Sequence, residues 1–171
     1  ELTMVQEGAL PVLIATMTTS DDYLRDCVMA IMRNITLHPE NKVKFVREGG
    51  MPPLISLIRS LEERVQEQAA VILRNLSVNN DNKVKIVIEG ALPHLIALLR
   101  SRDKKVQVQA CQTLQNIAVN DENEVAVVRE GGLPPLIALL SSPHEEIQAQ
   151  VSMVLQNLSK NVDNRYRMVE E

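Results

Sequence analysis

Apolar side chains recur along this chain at intervals of three and four. Between Asp22 and Leu37 they fall at Leu24, Val28, Ile31, Met32 and Ile35, and 41 residues later at Val65, Ala69, Ile72, Leu73 and Leu76. That spacing lines one side of a helix and predicts a long amphipathic helix from about Asp22 to Leu37. Two shorter helical patterns accompany it. One is Asn82–Ile88, with Asp81 or Asn82 as its expected cap and Gly90 as its expected stop. The other is Leu92–Arg100, where Pro93 suits a first turn that needs no amide hydrogen. No stretch alternates as a strand would. Ala69 and Ala110 are small where long helices have to approach closely.

The pattern is periodic. Glu-Gly occurs at Glu7-Gly8, Glu48-Gly49, Glu89-Gly90 and Glu130-Gly131, and proline at Pro11, Pro52, Pro93 and Pro134. Asparagine occurs at Asn34, Asn75, Asn116 and Asn157, and again at Asn41, Asn82, Asn123 and Asn164. Every row keeps a spacing of 41 without insertion or deletion. Four units follow, 8–48, 49–89, 90–130 and 131–171, each with three helical patterns. Residues 1–7 match the end of a preceding unit, and Glu171 stands where the next Glu-Gly begins. The chain is therefore expected to be one array of four repeats and a piece of a longer one. Fixed periods of this length are the mark of stacked repeat units.

Helical geometry places the side away from the core. With Asn75 at zero, Val71 and Val78 lie within about 60°, Glu67 at about 80° and Arg74 at about 100°. These five residues are expected to share an exposed face, and stacking is expected to align such faces into a ladder with one asparagine per repeat. The asparagines Asn41, Asn82, Asn123 and Asn164 of the short helices are expected to be helix caps.

Composition narrows the chemistry. Of the 171 residues 45% are hydrophobic but only 2% aromatic, so the core is aliphatic. The net charge of −4 argues against a basic footprint for nucleic acid. Cys27 and Cys111 occupy different repeat positions and form no disulfide framework or metal spacing, which fits a reducing compartment such as the cytoplasm. No apolar run is long enough to span a bilayer. His38, His94 and His144 are isolated, and neither cysteine has an evident base nearby in sequence, so no catalytic residues, metal or cofactor are assigned. The Asn-Xaa-Ser/Thr matches at Asn34, Asn75 and Asn157 fall inside helical patterns rather than surface loops, and are read as accidental. Glu62-Glu63 and Glu145-Glu146 read as first-turn charges of helices.

The run Asp-Asn-Lys, then Glu-Gly-Ala/Gly-Leu-Pro, then Leu-Ile and Leu-Leu, then Val-Gln, Ala and Asn-Leu resembles armadillo repeats over the whole chain. The wording is most similar to the vacuolar-scaffold and β-catenin/plakoglobin types. The resemblance implies an all-α, right-handed solenoid with three helices per 41-residue repeat and a concave surface lined by the third helices. It implies that Asn34, Asn75, Asn116 and Asn157 bond the main chain of an extended peptide. Importin-α-type repeats carry tryptophan four residues earlier. Here those positions hold Ala30, Val71, Gln112 and Met153, which counts against a nuclear import receptor.

An asparagine side chain offers both donors and an acceptor, so it can hold a peptide unit without regard to sequence. Its neighbours then set preference. Arg33 and Arg74 favour acidic peptide residues, Gln115 and Gln156 are neutral at the matching places, and Val71 and Gln112 flank the track. Asp26 and Glu67 are expected to offset the arginines in part. The expected function is a noncatalytic scaffold that binds an extended segment of another protein, without nucleic acid and without membrane insertion. End-to-end association of the array, and nuclear cargo import, are the alternatives.

Overall fold

A computed structural model describes residues 8–170; the expectations for residues 1–7 and Glu171 lie outside them. The described residues form twelve α-helices and no strand. They are α1 (Ala9–Thr16), α2 (Asp22–Ile35), α3 (Pro39–Arg47), α4 (Met51–Ile58), α5 (Glu63–Ser77) and α6 (Asn80–Ile88). Then follow α7 (Leu92–Leu98), α8 (Lys104–Ile117), α9 (Asp121–Arg129), α10 (Leu133–Leu139), α11 (Glu145–Leu158) and α12 (Val162–Glu170). The proline-led helices are α1, α4, α7 and α10. The long ones are α2, α5, α8 and α11, and the short ones following them are α3, α6, α9 and α12. The described residues divide into two compact units, one ending at Asn82 and the other beginning at Lys83.

In the first unit α1 packs on α2, α4 on α5, and the two long helices α2 and α5 pack on each other. Leu10, Met29, Met32, Leu54, Ile72 and Leu73 are fully enclosed between them. The predicted stripe of α5, from Val65 to Leu76, is buried throughout, whereas in α2 Leu24 is 43% exposed and lies outside the core. In the second unit the long helices α8 and α11 form the main contact, with α7 on α8 and α10 on α11. Val106, Ala110, Leu114, Val151 and Val154 fill that seam.

The short helices α3, α6 and α9 end the same way. Gly49, Gly90 and Gly131 adopt φ of 79–80°, a left-handed conformation that costs glycine no Cβ clash. The next amide then reaches back to the carbonyl five residues earlier. Gly50 donates to Phe45 at 2.9 Å, Ala91 to Ile86 at 3.1 Å and Gly132 to Val127 at 2.9 Å. The preceding glycines donate to Val46, Val87 and Val128, completing the reciprocal C-terminal cap. A Cβ on Gly132 would meet the Val127 side chain and carbonyl, each at 2.8 Å. A Cβ on Gly50 would enter the Phe45 ring, while Ala91 is accommodated above the smaller Ile86.

The corner leading into each long helix is also repeated. The hydroxyls of Thr19, Ser60, Ser101 and Ser142 accept from the amide two residues on. Gln66 donates to the Ile58 and Ser60 carbonyls, Gln107 to Leu99 and Gln148 to Ser142. Arg25 takes this place in the first repeat. It donates to the Thr19 carbonyl and pairs with Asp22 at 2.7 Å and Glu62 at 3.1 Å.

Candidate functional site: the faces of the long helices

The expected ladder begins with the four third-helix asparagines. In the first unit Asn34 is exposed, as predicted, but Asn75 is only 5% exposed. The exposure expected for Asn75 is therefore corrected. Its amide nitrogen donates to the Arg33 carbonyl and the Thr36 hydroxyl, each at 3.2 Å, and its oxygen accepts from Arg74 at 2.8 Å. The helix-face calculation located Asn75 around its own axis; the neighbouring helix α2 covers that direction. In the second unit Asn116 and Asn157 are half-buried. Asn157 donates to the Gln115 carbonyl at 3.2 Å, the counterpart of the Asn75 bond, and accepts from Lys160 at 3.1 Å.

The flanking residues are distributed unevenly. Val71, Glu67 and Arg74 are half-buried, while Arg33 and Val78 are exposed. In the second unit Gln112 and Gln115 are half-buried and Gln156 is exposed. Gln115 reaches across to the Met153 sulfur at 3.4 Å. Leu37, Val78 and Val119 stand at equivalent places just beyond their long helices, between 55% and 59% exposed. Apolar side chains thus border the polar residues at the C-terminal ends of α2, α5 and α8, while Lys160 stands at the equivalent place after α11.

The charges are paired differently from expectation. Asp26 bonds Arg64. Arg74 is held below the ordinary arginine value, first by burial and then by the neighbouring Arg33 charge. Cys27 is half-buried on α2, and Cys111 is enclosed, its thiol pushed up to about 12 by burial.

A second polar row was not foreseen. Gln68, Gln109 and Gln150 each precede a long-helix asparagine by seven residues, which puts both on one side of the helix about 10 Å apart along its axis. The Oε1 atoms of all three, and of Gln112, are enclosed without a hydrogen-bond donor among the described residues. Their spacing of 41 was available in the sequence, but Cys27 at the first position breaks the row.

The short-helix asparagines are the clearest correction. Asn41, Asn82, Asn123 and Asn164 are buried, and they do not act as side-chain N-caps. The N-cap side chains are Asn79, Asn120 and Asn161, each accepting from the amide three residues later. Asn41, Asn82, Asn123 and Asn164 donate instead to the last turns of the preceding long helices, at Ile35, Leu76, Ile117 and Leu158. Asn82, Asn123 and Asn164 also donate to Lys42, Lys83 and Glu124 of the preceding short helix, at 3.0–3.4 Å. One carboxamide therefore joins three helices. Its N–H groups are worth more on buried carbonyls than an oxygen would be at a helix start exposed to water.

Among the described residues no cluster of three or more His, Cys, Asp or Glu side chains could hold a metal, and no helix is long and apolar enough to cross a membrane.

Comparison with known proteins supplies the family context. The armadillo-like family model matches residues 6–171. No curated protein matches. Among solved structures, computationally designed armadillo repeat proteins for modular peptide recognition match with a TM-score of 0.94 and 25% identity, over 99% of this chain and 73% of theirs. A designed armadillo repeat protein in complex with the peptide (KR)4 matches with a TM-score of 0.90 and 25% identity, over 94% and 69%. An engineered protein matches with a TM-score of 0.93 and 30% identity, over 99% of this chain and 42% of that one.

Proposed function

The chain belongs to the armadillo-like family, and we propose that it is a noncatalytic scaffold whose long-helix faces bind an extended segment of another protein. The observation that carries this reading is in the second unit. There α8 and α11 lie side by side and present half-exposed carboxamides, Asn116 and Asn157, among Gln112, Gln115, Met153 and Gln156. Beyond its bonds to Gln115 and Lys160, Asn157 keeps one N–H and one lone pair for a peptide unit. The bond to Gln115 fixes the direction of the group, which lowers the ordering cost of binding. In the first unit Asn34 plays the exposed part and Asn75 supports the face from beneath. Each hydrogen bond to the peptide contributes about 0.5–1.5 kcal/mol net, so several in series are needed. The peptide complex of a designed neighbour supports the same use of the fold. Two unpaired thiols, Cys27 and Cys111, favour a reducing location such as the cytoplasm.

The test uses side chains that form no hydrogen bond between helices among the described residues. Replacing Gln112 and Gln156 with Ala is expected to weaken binding of an unstructured mixed-sequence peptide severalfold in isothermal titration, with the melting temperature held. Unchanged affinity in that variant excludes the second-unit face.

Exposed aliphatic residues in the first unit, Val12 and Leu24, favour a second reading, in which apolar surface outside the faces associates with another copy. Light scattering across a range of concentrations decides it, because a strict monomer rules it out.

A further inference from the structure

On the long helices α2 and α5 of the first unit, Arg33 and Arg74 carry charges with no carboxylate partner among the described residues. Arg33 near the end of α2 is exposed, and Arg74 at the equivalent place in α5 is half-buried. Asn75 lies between the main chain at Arg33 and the Arg74 guanidinium. It donates to the Arg33 carbonyl at 3.2 Å and accepts from the Arg74 guanidinium at 2.8 Å. The acids around them are committed elsewhere. Asp26 pairs with Arg64, while Asp22 and Glu62 pair with Arg25. Arg74 is held below the ordinary arginine value first by burial and then by the Arg33 charge. A like-charged pair left beside a polar groove is relieved by an arriving anion, and guanidinium groups bind carboxylate and phosphoryl oxygens through paired hydrogen bonds.

We propose that Arg33 and Arg74 form an anion clamp that selects a partner segment with an acidic side chain, carboxylate or phosphoryl, where it crosses α2 and α5. This rests on the reading that the long-helix faces hold an extended peptide, and adds to it the chemistry of one position. The corresponding residues of the second unit, Gln115 and Gln156, are neutral, so the preference is confined to one stretch of the bound segment. The exposed side of the clamp makes it sensitive to salt.

Fluorescence anisotropy with four labelled peptides of one length tests it. They are a neutral Gly-Ser peptide and versions with glutamate, phosphoserine or lysine at the centre. The glutamate or phosphoserine peptide is expected to bind the native protein about tenfold or more tightly than the neutral one, as charge-assisted hydrogen bonds predict. A phosphoserine advantage over glutamate identifies a phosphoryl source, and equal affinities identify a carboxylate as sufficient. In the Arg33→Gln/Arg74→Gln variant, checked for helical content, the gap between acidic and neutral peptides is expected to close. The exposed single variant Arg33→Glu is expected to turn the preference toward lysine. If acidic and neutral peptides bind the native protein equally, or if the advantage survives both variants, the clamp is refuted while peptide binding stands. If none of the four peptides binds, the groove reading fails and the clamp falls with it.

Discussion

Replacing Asn123 with alanine tests how successive repeats are joined. Asn123 is 3% exposed and donates to the Ile117 and Lys83 carbonyls, both at 3.2 Å. Two such bonds contribute about 0.5–1.5 kcal/mol each, and their carbonyls stay enclosed when the donor is removed. The loss is therefore expected to be about 2–3 kcal/mol. For a chain of this size that lowers the melting temperature by about 4–12 °C. Asn120 provides the internal control. Its side chain caps α9 by accepting from the Glu122 and Asn123 amides, and its replacement by alanine is expected to cost about 1 kcal/mol. Asn123→Asp keeps the shape but turns an oxygen toward the two carbonyls, so it should be at least as damaging as alanine. Thermal and urea unfolding followed by far-UV circular dichroism rank the three variants. An Asn123→Ala protein within about 0.5 kcal/mol of the parent, or less affected than Asn120→Ala, refutes the joining role.

Three further outcomes follow from named contacts. Gly50→Ala should destabilise the protein because its Cβ meets the Phe45 ring, and Phe45→Ile should recover much of the loss by recreating the Ile86–Ala91 pair. A double-mutant cycle in urea measures that coupling, and additive losses contradict it. Glu124 is buried, and its pKa is raised first by burial and then by Asp121, with Lys160 acting in the opposite direction. Protonation therefore favours the folded state. The contribution of Glu124 is full below the usual glutamate range and is lost as the pH rises through its raised value. Glu124→Gln should accordingly stabilise the protein at neutral pH and match the parent in acid, as paired melts at the two pH values would show. Cys111, enclosed and pushed up to about 12, should resist a thiol reagent in the native protein while half-buried Cys27 reacts. Mass spectrometry after brief labelling separates the two.

Much of the helical plan was legible because it depends on local geometry. The 41-residue spacing located every left-handed glycine from Gly8 to Gly131 and every proline-led helix, and the apolar stripe of α5 fell where its periodicity placed it. The errors arose where one residue type serves several purposes. Asparagine suits a helix start, a helix end and a bond between helices, and its position in the sequence does not distinguish them. So Asn82, Asn123 and Asn164 were read as caps, while Asn79, Asn120 and Asn161 passed unnoticed because His38 opens their row. Asn75 was misjudged for another reason. Periodicity gives a direction around one helix, and it does not say how closely the next helix covers that direction. Leu24 shows the converse, an apolar residue in phase with the core of α2 that stays exposed among the described residues.

The most direct test of the peptide-binding account is the nitrogen–proton correlation spectrum of the protein, backbone and side-chain amides together, titrated with an unstructured peptide pool. The NH2 resonances of Asn116, Asn157, Gln112 and Gln156 are expected to shift together and saturate together, while His94 and the other proline-led-helix residues stay in place. Saturable shifts confined to the proline-led helices, with these four amides unmoved, would contradict it.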